Sequence, residues 1–270
     1  SSQFVSALLL ALPLLPGDST LTLTSAPESA PYIAMTEEVL AAAGISLYRT
    51  GSRYRIPGGQ RYRLPSHLTV EGDWSSAAFF LCAGAMSREG IAVDGLSLPT
   101  RQGDSALLPL LRQMGAEINL SSGCITVRKG RLRATDIDAR PIPDLIPPLS
   151  VLAAAAEGGS HIQNARRLRY KESDRLQGIA ELLNSLGGCL TVDGDGLLIH
   201  GVSHLQGGTV DPMGDHRLAM SAALAALSAD APVTVRDADC VSKSYPAFWA
   251  DFQSLKGEAP CPAPSETPFV

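Results

Sequence analysis

Aromatic residues are scarce, 5% of 270 positions, and no two cysteines stand at the CxxC spacing of a zinc or redox site. The first absence means a core packed by small and aliphatic side chains. The second leaves Cys82, Cys124, Cys189, Cys240 and Cys261 to be read as free thiols in a reducing compartment, with no metal site. Positive charge is also in deficit: 22 Lys and Arg against 27 Asp and Glu give a net charge of −5. That excludes a generic nucleic-acid binder, because affinity for a phosphate backbone needs a basic surface. Anionic small molecules stay open, since they need only a local cluster of cations. No apolar run approaches the ~20 residues that span a bilayer, so no membrane partner is expected and the cytoplasm is the expected location. The Phe4 to Leu15 stretch has the length of a signal-peptide core but lacks a basic flank and contains Pro13. Walker A and GxGxxG signatures are missing, so nucleotide phosphate loops are not indicated. What is present is the make-up of a globular protein, 45% hydrophobic and 18% charged, at a length that suggests about two domains.

Internal repetition organises the chain. Segments opening at Ser2, Asp73, Asp144 and Asp215 read SQFVSALLLALPLL, DWSSAAFFLCAGAM, DLIPPLSVLAAAAE and DHRLAMSAALAALS, each 71 residues after the last. Each starts with a short polar side chain suited to an N-cap, then runs apolar for about three turns. Such a helix should be buried on most sides. A second helix recurs from Ser29, Thr100, Lys171 and Ser242, and its third copy sets Leu176, Ile179, Leu183 and Leu186 on one face. Gly44, Gly115 and Gly187 stand where helices end. Strands STLTLTSA, GIAVDGL, GSHIQNA and APVTVRDA lie between the helices. Hairpins SLYRTG/SRYRIP, EINLSSG/CITVRKG and CLTVDGD/GLLIHGV follow, and HLTVEG, ATDIDA and GGTVDP precede the first helix of copies two to four.

The unit is β-α-β-α-β-β. Copy one lacks its first strand and copy four its last two, so the chain is expected to be an N-terminally truncated piece of a longer protein. The expected class is α/β (α+β). Residues 68–256 would close three repeats into a pseudo-threefold domain with buried helices and outer sheets. Residues 1–67 would be one repeat of a second such domain, and the Pro-rich residues 257–270 a flexible tail.

Polar residues that the repeat does not require gather at helix openings. Lys171-Glu172-Ser173-Asp174-Arg175 sets two cations i,i+4 on one helical face at an N-terminus. This opposes the helix dipole but suits a bound anion; a solvated turn is the plainer reading. Arg166, Arg167 and Arg169 strengthen the positive field. In Asp215-His216-Arg217 the aspartate reads as a cap like Asp73 and the histidine as packing, while Arg217 on an apolar helix needs a carboxylate or phosphate partner. Lys243 sits at a strand-to-helix junction, where a lone lysine is usually surface. Ser1, Ser2, Gln3, Ser29 and Tyr32 open the first two helices, with capping as their plainer role. Symmetry makes Asp144 a cap as well, which does not prevent it from accepting a proton. The cations are expected to converge on one cleft between domains and to hold a ligand with more than one negative group, each contact contributing about 1.5–3 kcal/mol.

RLRYKESDRL and GDHRLAM, with SSQF at the start and SKSYPAF near the end, resemble the 3-phosphoshikimate 1-carboxyvinyltransferases (5-enolpyruvylshikimate-3-phosphate synthases) over nearly the whole chain. The resemblance implies an enolpyruvyl-transferase-like fold of two domains, each of three βαβαββ units. It also implies a preceding stretch of roughly 170 residues, about one domain's worth. The implied reaction moves the enolpyruvyl group of phosphoenolpyruvate to the 5-hydroxyl of shikimate 3-phosphate through a tetrahedral intermediate, without metal or organic cofactor, in a monomer. Under the same resemblance Asp144 is the base for the hydroxyl, Lys171 a relay beside it, and Glu172 the acid for the methylene carbon. Arg175 and Arg217 clamp the phosphoenolpyruvate carboxylate and Lys243 contacts phosphate. Ser1, Ser2, Gln3, Ser29 and Tyr32 contact shikimate 3-phosphate. Arg167 departs from the asparagine of some members. Without the preceding segment, this fragment is expected to turn over little or nothing. The alternatives are the related UDP-N-acetylglucosamine enolpyruvyl transferases, or a non-catalytic anion-binding module. Against the latter, all six charged residues of the site are retained.

Overall fold

The computed structural model describes residues 2–27, 29–121, 123–255 and 267–269. Two compact units emerge: Ser1–Glu71 with Ser97–Ser105, and Gly72–Leu96 with Ala106–Val270.

The first unit contains α1 (Ser2–Ala11), β1 (Ser19–Thr22), α2 (Ala30–Ala42), β2 (Tyr48–Thr50) and β3 (Arg53–Ile56). β3 is the middle strand, antiparallel to both neighbours. Its alternation turns Tyr54 and Ile56 into a small core with Leu9, Ile33, Leu40 and Ile45, and leaves Arg53 and Arg55 outside. The Tyr54 hydroxyl donates to Glu37; burial first, then that carboxylate, push its pKa up to about 12. α1 departs from expectation. Only Ser2 and Leu9 on it are buried, and Phe4 is 73% exposed. An apolar helix is buried all round only when several elements surround it. Here α2, pinned by the 2.7 Å bond between the Ser6 and Thr36 hydroxyls, is the one other α-helix among the unit's described residues.

The second unit continues through α3 (Trp74–Met86), β4 (Ile91–Val93), α4 (Leu107–Gln113), β5 (Glu117–Ser121) and β6 (Cys124–Arg128). Next come β7 (Ile137–Asp138), α5 (Ile146–Ala154), β8 (Gly159–Gln163), α6 (Arg175–Ser185), β9 (Cys189–Asp193) and β10 (Gly196–His200). Last are β11 (Gly208–Val210), α7 (His216–Ala225), β12 (Val233–Val235), α8 (Phe248–Ser254) and β13 (Thr267–Phe269). Copy three realises the whole β-α-β-α-β-β unit. Its sheet runs β7-β8-β10-β9, with β7 parallel to β8 and the rest antiparallel. The other sheets run β4-β6-β5 and β11-β12-β13. α3, α5 and α7 pack on one another at the centre, and almost every side chain on them is buried. The helices are therefore inside and the sheets outside. Cys82, Cys124, Cys189 and Cys240 are free thiols. No helix among the described residues is long and apolar enough to cross a membrane.

Two local expectations are corrected. HLTVEG is not a strand: residues 67–72 have no ladder, and Leu68 and Val70 face solvent. Alternation holds a strand only beside a hydrogen-bonded neighbour; β7 and β11 each have a parallel partner, whereas β4 pairs only with β6. The second helices of copies two to four start four to seven residues late, at Leu107, Arg175 and Phe248, after 3₁₀ turns over Gly103–Ala106, Arg166–Tyr170 and Ala238–Lys243. The expected tail falls largely outside the described residues, while Thr267–Phe269 pairs antiparallel with β12.

Gly84 on α3 lies so close to β6 that a Cβ there would stand 2.6 Å from the Val127 carbonyl oxygen. Gly84→Ala gains about 1 kcal/mol of helix propensity. It must also push two backbones apart, so a net destabilisation of about 1–3 kcal/mol is expected. Gly17→Ala, with no atom within 4 Å of the new methyl, should stay within about 0.5 kcal/mol. Urea unfolding of the two variants beside wild type tests the contrast.

Candidate functional site

The starts of α5, α6 and α7 bring together six of the residues singled out from the sequence. Two of the repeated aspartates are caps. Asp73 accepts from the Ser75 and Ser76 amides at 3.0 and 3.3 Å, and Asp215 from the Arg217 amide at 3.0 Å. Asp144 breaks the pattern. It lies in the 3₁₀ turn Pro143–Leu145, and α5 begins after it with Leu145 at a cap position that supplies no side-chain bond. Pro147 stands where Ser76 stands in the Asp73 copy and has no N–H to offer. The Asp144 carboxylate turns instead to cations. Its Oδ1 lies 2.8 Å from Arg175 Nη1, 3.1 Å from Lys171 Nζ and 3.5 Å from Arg217 Nε.

Arg175 is the centre. Its side chain is 1% exposed, and its guanidinium makes four N–H···O bonds to three carboxylates. Nε and Nη2 form a fork on Asp215 at 2.7 and 3.2 Å, Nη1 donates to Asp144, and Nη2 also donates to Glu172 at 2.6 Å. Ser173 Oγ donates to Asp215 at 3.1 Å. Asp215 therefore does two things, capping α7 and holding Arg175; only the first was read from symmetry. The signal for the second was the arginine itself, since a buried guanidinium needs as many acceptors as it has donors.

Lys171 and Arg175 were expected on one helical face. The structure corrects this: Lys171 is extended, residues 171–174 form a turn, and α6 starts at Arg175 with Asp174 as its cap. The two cations still meet, both at Asp144 Oδ1. Arg169 braces the turn through Asp174 at 3.0 Å and the Gly194 carbonyl at 2.7 Å. Lys243, at the end of the Ala238–Lys243 turn, is 56% exposed and reaches Glu172 Oε1 at 3.1 Å. Arg217 is the most loosely held of the buried cations, with its other contact at 3.4 Å to the Asp144 carbonyl. His216 is buried at the start of α7, and its Nδ1 has no hydrogen bond. Burial and then Arg217 push its pKa down, which keeps the ring neutral.

Burial alone would raise the Asp144 pKa, but Arg217, Lys171 and Arg175 together outweigh it and hold the group well below the usual carboxylate range. For Glu172 the same contest, burial against Arg175 and then Lys243, ends with the pKa lowered from 4.5 to about 2. Both are ionised at neutral pH. Four cations thus face three carboxylates, a formal surplus of one positive charge. Ser2, Gln3, Ser29 and Tyr32 belong to the first unit. Ser2 is buried at the first residue of α1, Gln3 beside it is exposed, Ser29 is buried at a left-handed φ of 54° before α2, and Tyr32 is exposed. Ser1 lies outside the described residues.

Copies of a β-α-β-α-β-β pattern, one of them whole, pack their central helices together under a charged site at the helix starts, an arrangement of the enolpyruvyl-transferase class of fold. Residues 1–252 match the family model of EPSP synthase (3-phosphoshikimate 1-carboxyvinyltransferase), and the chain belongs to that family. It is 42% identical over 261 residues to the 3-phosphoshikimate 1-carboxyvinyltransferase of Clostridium kluyveri, covering 96% of this chain and 60% of that protein. The protein of the same name from Clostridium perfringens strain SM101 is 44% identical over 259 residues, covering 95% and 61%. Among solved structures, EPSP synthase from Acinetobacter baumannii superposes with a TM-score of 0.79 at 28% identity, over 94% of this chain and 60% of that one. The chain thus spans about 60% of the length of the relatives it matches.

Two expectations follow from the buried network. Arg175→Leu leaves three carboxylates without their shared partner and should cost about 3–5 kcal/mol, whereas Lys243→Met, cutting a half-exposed pair, should cost less than about 1 kcal/mol. Both tryptophans, Trp74 and Trp249, lie in the second unit, so their fluorescence during urea unfolding reports the right region. The pH dependence has a definite sign. Because the folded pKa of Glu172 is depressed, its contribution is complete above 4.5 and is lost as pH falls toward about 2. Glu172→Gln should flatten the fall of stability across that interval, measured by the same fluorescence.

Proposed function

We propose that the chain carries part of the site of an enolpyruvyl transferase that joins phosphoenolpyruvate to the 5-hydroxyl of shikimate 3-phosphate and releases phosphate. The observation that supports this most is the meeting of Asp144, Lys171, Glu172, Arg175, Arg217 and Lys243 in one cluster of a chain 42–44% identical to proteins named for that reaction. Those names favour shikimate 3-phosphate over the UDP-sugar acceptor. In this reading Arg217, with the one N–H that Arg175 does not spend on its carboxylates, holds the phosphoenolpyruvate carboxylate, and Lys243 meets the phosphate. Ser1, Ser2, Gln3, Ser29 and Tyr32 contact shikimate 3-phosphate. Arg167 is given no role in this reading. The complete protein is read as a cytoplasmic monomer that needs no cofactor.

Chemistry follows from the two carboxylates. Glu172 delivers a proton to the methylene carbon, the neighbouring carbon becomes electrophilic, and the 5-hydroxyl oxygen attacks it while Asp144 takes the hydroxyl proton. Lys171, its ammonium 3.1 Å from Asp144 Oδ1, gives one of its own protons to the departing phosphate and takes that proton from Asp144 in exchange. Loss of phosphate from the tetrahedral intermediate and of a proton from the new methyl group completes the transfer. Asp144 held far below its ordinary pKa is a feeble base. Negative ligands drawing on Arg217 and Lys171 loosen that hold and restore its basicity.

Phosphate release from the two substrates tests the proposal, with this chain alone and mixed with the N-terminal part of a family member. Release in the mixture is expected, and Asp144→Asn should lower its rate by about 10²–10⁴-fold. No release in the mixture, together with no binding of either substrate, would overturn the assignment.

A further inference from the structure

Each cation proposed to receive a negative ligand is also held by a carboxylate of the same site. The most accessible pair is Lys243 with Glu172. The ammonium lies 3.1 Å from Oε1 and is 56% exposed, and the carboxylate is itself reachable at 27%. The other Glu172 oxygen is fixed at 2.6 Å by Arg175, whose remaining bonds go to Asp144 and Asp215. An incoming anion can take over Lys243 from outside. It cannot draw Arg175 off its three carboxylates, because that guanidinium is enclosed.

We infer that an anion binding at Lys243 displaces that lysine from Glu172 and drives Glu172 to take up a proton from solvent, so that ligand binding itself loads the acid of the site. The inference rests on the reading of the cluster as an anion site, and goes beyond it by coupling occupancy to protonation.

The physical steps are few. With Lys243 turned to the anion, Glu172 loses one of its two cationic partners and gains a negative neighbour a few ångströms away. Both changes favour the neutral acid. The new carboxylic acid can donate its O–H to the anion, a bond the carboxylate could not make. Other charged or titratable groups face this point: Arg175 on α6, Lys171 in the turn, Asp144 before α5, and Asp215, His216 and Arg217 on α7. Arg175 keeps its grip in both states. Asp144 and Asp215 remain shared between Arg175 and their other partners. His216, buried and neutral beside Asp215, and Asp144, whose hold by Lys171 and Arg217 an anion also loosens, are the other groups able to pick up a proton, and neither is bonded to Lys243 as Glu172 is. The lowering of the Glu172 pKa, from 4.5 to about 2, belongs to the arrangement in which Lys243 holds the carboxylate.

Sulfate is a suitable probe because it does not titrate between pH 4.5 and 7. The whole chain, with carboxyl-labelled glutamate, would be followed by carbon NMR across that range in sodium sulfate and in sodium chloride of equal ionic strength. The Glu172 signal, assigned from its loss in Glu172→Gln, should stay that of a carboxylate in chloride and begin to titrate in sulfate. Sulfate affinity should tighten several-fold as pH falls from 7 to 4.5 in wild type and His216→Gln, and stay flat in Glu172→Gln. In Lys243→Met, whose change is at a half-exposed side chain, Glu172 should titrate higher than in wild type even in chloride, and sulfate should add nothing. An unshifted Glu172 signal in sulfate, including the case in which sulfate does not bind, would overturn the inference. So would an affinity trend that disappears in His216→Gln instead. None of these readouts uses phosphoenolpyruvate or shikimate 3-phosphate, so failure here is separate from failure of the transferase assignment.

Discussion

A guanidinium with 1% exposure cannot stand alone in a protein interior, and the second unit is arranged around that fact. Arg175 draws one carboxylate from before α5, one from the turn before α6 and one from the start of α7. Three separate helix starts are thereby tied to one planar group with fixed donor directions. The consequence is positional. The carboxylate read as base and the carboxylate read as acid are both bonded to the same arginine, so their separation is set by a rigid fork and not by two independent side chains. Such a network adds little stability over an apolar core of equal volume. Its value is in geometry, and in leaving Lys171, Arg217 and Lys243 as the more accessible cations around an enclosed one.

The central packing was legible because it depends on a property common to all copies. Helices of small apolar residues recur every 71 positions, and hairpins recur with turn glycines between them; the three copies of the second unit satisfy that pattern together by putting α3, α5 and α7 in one core. Less legible was whatever depends on a neighbour. Leu68 and Val70 alternate like a strand yet have no ladder to join, and Phe4 sits on a helix as apolar as α3 but with fewer helices around it. The site was legible as a set of residues and not as a set of contacts. Lys171 and Arg175 were paired for their helical spacing, and they do meet, though a non-helical turn and a shared carboxylate bring them there. Asp144 was read as a cap by symmetry, although the proline three residues on already removed one of the two amides that Asp73 caps.

The deeper regularity is that partners in the site are repeat mates. Asp144 and Asp215 are one period apart and both bind Arg175; Glu172 and Lys243 are one period apart and bind each other. Equivalent positions of adjacent copies are brought near one another when repeats close about a pseudo-axis. Placing opposite charges at one such position therefore makes a pair without any special loop. Identity of sequence at equivalent positions would defeat this, since two glutamates or two lysines there would repel. The chemistry depends on where the copies differ: Pro147 in place of a serine removes an amide that Asp73 caps, and Lys243, one period after Glu172, supplies the cation across from that glutamate. The repeated core allows these changes because its stability resides in α3, α5 and α7, buried side against side, while the helix starts carry the charges.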